Sequence, residues 1–142
     1  MREKSVLGWT LGAVLSALAA LAAEKPAYDS AAALLGAAAF KDYCVACHGS
    51  GGRGDGPLAS RLRYAPADLT AIARHNAGTF PFEKVRRIVD GRKPVKGHQG
   101  AEMPAWGDAL KDAKDSYDER RVRSQIETLV QFLASIQQDP ER

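Results

Sequence analysis

Apolar positions along this chain recur with the period of a helix. Near the C-terminus Val122, Ile126, Leu129, Val130, Leu133 and Ile136 stand four, three, one, three and three residues apart, which is one helical face. A helix over roughly residues 119–138 is expected from that spacing. An Ala- and Leu-rich run over residues 31–43 is expected as a second helix, with Asp29 and Ser30 as its caps. Gly36 interrupts that run, and a glycine inside a helix costs about 1 kcal/mol relative to alanine. Close approach of another helix would account for it, and the C-terminal one is the candidate partner. A third apolar stripe, Phe82, Val85, Ile88 and Val89, runs over residues 81–90 and stops at Gly91, with Lys84, Arg86 and Arg87 expected to face solvent. A short helical run after residues 66–70 ends near Asn76 and Gly78, the residue types of a helix C-terminus. Residues 91–100 are turn-rich, and the mixed charges of residues 111–123 suit a solvated connection and helix start.

The first residues have a different pattern. Arg2, Glu3 and Lys4 precede an apolar stretch of 16 residues from Val6 to Leu21, followed by Ala22 and Ala23. Charged, apolar and small segments in that order are the layout of a secretory signal, with Ala20 and Ala22 fitting an A-x-A cleavage site. Residues 1–23 are therefore expected to be a signal peptide and residues 24–142 one mature domain, in a Gram-negative periplasm or an equivalent exported compartment. The alternative is an uncleaved anchor, although the stretch is shorter than the span of about 20 residues a bilayer asks for.

Chemistry concentrates at Cys44-Val45-Ala46-Cys47-His48, the C-x-x-C-H pattern of covalent haem attachment. On a helical turn the two cysteines face the same way, so each thiol can add to one vinyl group of the same porphyrin. His48 falls four residues after Cys44, on that face, where its imidazole can bind the iron from one side. A thioredoxin-like pair would need a βαβ setting, and a zinc site would need more ligands nearby. The chain has two cysteines in all, and nothing around them alternates as a strand does.

The stretch from Gly49 to Pro57 holds five glycines in nine residues, a loop folded tightly where side chains would collide with something large. It lacks the Gly-Lys-Ser/Thr and the preceding strand of a phosphate loop. A carbonyl in this loop, such as that of Pro57, is expected to hold the free ring N–H of His48. For the other face of the iron the candidate is Met103, the one methionine besides the initiator, in a loop stiffened by Pro104. Its thioether is a soft neutral ligand that raises the reduction potential. His98 is the rival, and His75 a weaker one beside Arg74 and Asn76.

Charge changes this picture little. The full chain carries a formal +3, and removal of residues 1–23 leaves 18 basic and 16 acidic residues, a formal +2. Two haem propionates nearly cancel that, so the basic balance is no argument for nucleic acid. The mature chain cannot build a large apolar interior alone, and a haem would serve as its core.

Together these residues resemble a bacterial class I cytochrome c of the periplasmic proteobacterial type, over nearly the whole mature chain. The shared features are Gly36 and Phe40 before the attachment motif, Phe132 in the last helix, the stretch Gly52 to Ala59, and Met103-Pro104-Ala105-Trp106-Gly107. The resemblance implies an all-α cytochrome c-like fold, three main helices plus short ones wrapped around one covalently bound haem c. It also implies axial ligation by His48 and Met103, and one-electron transfer between a donor and an acceptor protein by a monomer that is not itself an enzyme. It departs from mitochondrial cytochrome c in lacking a lysine-dense ring, so that partner surface does not carry over. The competing expectations are a haem subunit of a larger oxidoreductase and an enzyme or gas-binding protein with an open sixth site.

Overall fold

The computed structural model describes residues 28–93, 102–111 and 118–138. The expected signal segment and His98 lie outside them. All regular elements among the described residues are helical: α1 (Ser30–Tyr43), α2 (Val45–His48), α3 (Phe82–Asp90), α4 (Trp106–Ala109) and α5 (Glu119–Ser135), with short 3-10 turns at Ala59–Arg61, Leu69–Ala71 and Arg74–Asn76. The fold is all-α, as the apolar spacing and the family resemblance lead one to expect.

Helix α1 begins at Asp29, whose carboxylate accepts from the Ala31 and Ala32 N–H groups at 2.9 and 3.1 Å. The Asp29 N–H itself donates to Gln131 Oε1 at 2.8 Å, which fastens the start of α1 to α5. Asp118 caps α5 in the same way, accepting from the Arg120 N–H at 2.9 Å. The two long helices cross at Gly36. A Cβ there would stand 2.6 Å from the Thr128 carbonyl carbon and would strike the Thr128 oxygen as well. One turn on, the rings of Phe40 and Phe132 meet with centroids 5.0 Å apart.

The face of α5 read from the sequence is the buried one. Val122, Ile126, Leu129, Val130 and Leu133 are buried, and burial of a side chain of this size is worth about 1.5–3 kcal/mol. Val85 and Val89 of α3 complete the same core with Phe40. The helix stops at Ser135, a few residues early, because the Gln137 side chain is engaged elsewhere. Its amide donates to the Leu133 and Leu69 carbonyls at 2.7 Å and accepts from the Ala73 N–H at 2.8 Å. That exchange pins the 69–73 turns to the end of α5.

Two expectations need correction. The run after residue 66 is two 3-10 turns instead of one helical run, because Asp68 accepts from both the N–H and the hydroxyl of Thr70, at 2.9 and 2.6 Å, and tightens the backbone locally. Arg86 does not simply face solvent. Its Nε and Nη2 donate to Glu127 Oε2 at 2.8 and 2.7 Å and it also pairs with Glu83, so it bridges α3 to α5. Lys84 and Arg87 are exposed as expected.

The carboxylates of this scaffold set its acid limit. Hydrogen bonds from Arg92 hold Asp90 and Glu119 below the ordinary carboxylate range, and the Thr70 hydroxyl does the same for Asp68. A carboxylate whose folded pKa is depressed stabilises the fold above its unfolded pKa, and that stabilisation is lost as pH falls through the folded value. Thermal unfolding midpoints should therefore be flat towards neutrality and fall below about pH 4. An Arg92→Leu protein should show a shallower fall in the same titration.

Candidate haem site

Helix α1 hands the chain directly to the attachment motif. Cys44 caps the end of α1, yet the His48 N–H still donates to the Cys44 carbonyl at 2.8 Å, so one helical turn carries Cys44, Cys47 and His48 on the same side. Both thiols are free and half-buried. The Cys44 thiol is pushed up to about 11 by burial and by the neighbouring Cys47. A setting that disfavours a thiolate suits an uncharged thioether sulfur.

His48 is half-buried, and burial holds its imidazole below the ordinary histidine range, against the opposing effect of its hydrogen bond. Its Nδ1 lies 3.2 Å from the Ala67 carbonyl oxygen. A carbonyl can only accept, so Nδ1 carries the proton and Nε2 is left as the lone-pair nitrogen. That is the tautomer a metal ligand needs, with its ring orientation fixed from behind.

The carbonyl is Ala67's and not Pro57's. The glycine loop folds back on α2 through Gly54, Gly56 and Leu58, whose N–H groups donate to the His48, Cys47 and Ala46 carbonyls. Pro57 is thereby turned out to the surface. A Cβ on Gly54 would run into the Pro66 carbonyl, so the loop brings the 66–67 backbone beside His48. The sequence signal for this was the Pro66-Ala67-Asp68 step after a glycine-rich loop, though nothing in it singles out one carbonyl.

Met103 is half-buried and packs, as do Cys44, Val45 and Trp106, against the core cluster. The Trp106 ring meets Tyr43, the last residue of α1, at 5.4 Å between centroids, which draws the Met103 stretch towards the motif. On its other side Glu102 accepts from the Arg63 N–H at 2.5 Å. His75 is exposed in the Arg74–Asn76 turn. Sequence reasoning missed Ala67, Glu102 and the ion pair of Arg92 with Glu119, all of them contacts between segments far apart in the chain.

The donor set fits a haem. Among the described residues no three His, Cys, Asp or Glu side chains converge as they would around an ion held by such groups alone. What one helical turn does present is a pair of thiols followed by an imidazole that the Ala67 carbonyl holds from behind. The family model described as cytochrome c oxidase, cbb3-type, subunit III matches residues 31–116. The chain belongs to that family. It is accordingly a c-type haem electron-transfer protein, and the match spans the motif, the glycine loop and Met103. Searches of curated proteins and of solved structures return no significant match. Among the described residues no helix is long and apolar enough to cross a membrane.

Proposed function

We propose that the domain of residues 24–142 is an exported electron carrier with one haem, cut from its signal at residue 23. Cys44 and Cys47 would hold the porphyrin as thioethers, and His48 and Met103 would supply the ligands to its iron. The observation that carries this is the Ala67 hydrogen bond, which leaves Nε2 of His48 as the free ligand nitrogen on the face shared with both cysteines. When bound, the haem supplies one reversible Fe(III)/Fe(II) step. The chain's own residues do the rest. His48, oriented by the Ala67 carbonyl, would bind the iron, and Met103 would favour Fe(II) and leave no place for a substrate or gas. Electrons then pass in brief encounters with donor and acceptor proteins.

The family description favours a second reading, a haem subunit within an oxidase-type assembly. Purification from the native host discriminates: a carrier elutes alone, and a subunit brings its partners. The ligand assignment is tested by Met103→Ala. That protein should retain its haem, show a lower reduction potential and bind carbon monoxide rapidly when reduced. An unchanged potential would transfer the sixth position to His98, and rapid carbon monoxide binding by the unaltered protein would make it an open-site haem protein.

A further inference from the structure

Arg92 follows the glycine that ends α3, and its guanidinium grips two carboxylates at once. Nε and Nη2 donate to Asp90 Oδ1 and Oδ2 at 2.8 and 2.6 Å, while Nη1 and Nη2 donate to Glu119 Oε2 and Oε1 at 2.9 and 2.8 Å. Asp90 closes α3 and Glu119 opens α5, so one cation staples two helix ends. The staple lies across Gly107 in α4. A Cβ there would stand 2.7 Å from Asp90 Oδ1 and would also collide with Arg92 Nε. A free arginine would swing aside, but this one is held on both edges of its fork and cannot. Beside it Gly91 approaches Ala105, where a Cβ would come within 2.7 Å of the Ala105 Cα. These two contacts pinch together the ends of the stretch that carries Met103.

We infer that Arg92 is a positioning residue for the Met103 sulfur, with the Asp90–Arg92–Glu119 staple on Gly107 fixing the chain that presents the thioether. The inference rests on Met103 being an axial ligand. A thioether is a weak neutral donor to ferric iron, and added bases compete with it. Chain freedom removed before ligation does not have to be removed by the iron–sulfur bond, so a fixed loop strengthens that bond. Arg86 provides the comparison within the same molecule, because it also joins α3 to α5 and is not among the atoms nearest to a Cβ placed on Gly107 or Gly91.

The experiment titrates the ferric holoprotein with imidazole, following loss of the weak far-red band of the methionine–iron bond, beside a thermal unfolding curve for each variant. Arg92→Leu and the gentler Glu119→Gln should each raise imidazole affinity roughly tenfold. Arg86→Leu should lower the unfolding midpoint comparably yet leave imidazole affinity within about twofold. Unchanged affinity in both staple variants, or an equal rise in Arg86→Leu, makes the staple mere scaffold and overturns the inference. Absence of the far-red band from the unaltered protein is a different failure: it removes Met103 as a ligand, and the inference with it.

Discussion

His48→Ala is expected to yield almost no stable holoprotein when produced in a host that matures c-type cytochromes. The substitution removes the nitrogen proposed as the proximal ligand, on a side chain oriented by the Ala67 carbonyl. Loss of a metal's immediate ligand exceeds the 10- to 100-fold cost typical of losing its outer partners. The measurement is the haem-to-protein ratio after purification. A normal ratio, with the spectrum of the unaltered protein, would show that His48 is not the proximal ligand. His48→Gln is a useful companion, since it keeps bulk and polarity yet lacks the imidazole.

Gly36→Val carries the second large effect, on folding itself. Even a single Cβ at this position meets the Thr128 carbonyl oxygen and lies 2.8 Å from the Phe132 Cβ. The obstacle is helix backbone, so no rotamer change relieves it, and α1 and α5 must separate. Overpacking of this sort costs about 1–3 kcal/mol, and the lost contact between Phe40 and Phe132 adds to it. A small domain shifts its melting temperature by about 4–8 °C for each kcal/mol. A decrease of roughly 10 °C or more in the holoprotein is the expected result. A melting temperature equal to that of the unaltered protein would show that the crossing does not depend on this glycine. Gly36→Ala should fall between the two, because it gains helix propensity but keeps the clash.

Both effects were legible in the sequence to different degrees. The crossing was readable because a glycine in an otherwise strong helix former has few explanations, and the apolar period of α5 named its partner. The C-x-x-C-H motif stood out in the sequence because its two cysteines and its histidine, at fixed spacing, fall on one helical turn. What the sequence concealed are hydrogen bonds between distant segments. His48 meets Ala67 nineteen residues on, and which of the intervening carbonyls turns inward depends on how the glycine loop folds back on α2. Arg92 and Glu119 lie 27 residues apart, the first in a turn-rich stretch and the second in a run of mixed charges that reads equally well as solvated surface. Arg86 was misplaced for the same reason: its helix face alone points outward, and only the position of Glu127 on α5 draws it in.

The family match and the geometry answer different questions. Membership establishes the chemistry as c-type haem electron transfer. The assignment of individual residues rests on tautomer, burial and register at the motif, and this part is open to direct test. The inference about the Arg92 staple extends the same reasoning to Met103, the ligand proposed for the opposite face of the iron.

The most direct test of the whole account is the intact mass of the mature protein after acid–acetone extraction, which strips haem that is not covalently held. The expected mass is that of a polypeptide heavier by one haem, with the added mass on the peptide containing Cys44 and Cys47. A bare polypeptide mass from a host competent in cytochrome c maturation would contradict it.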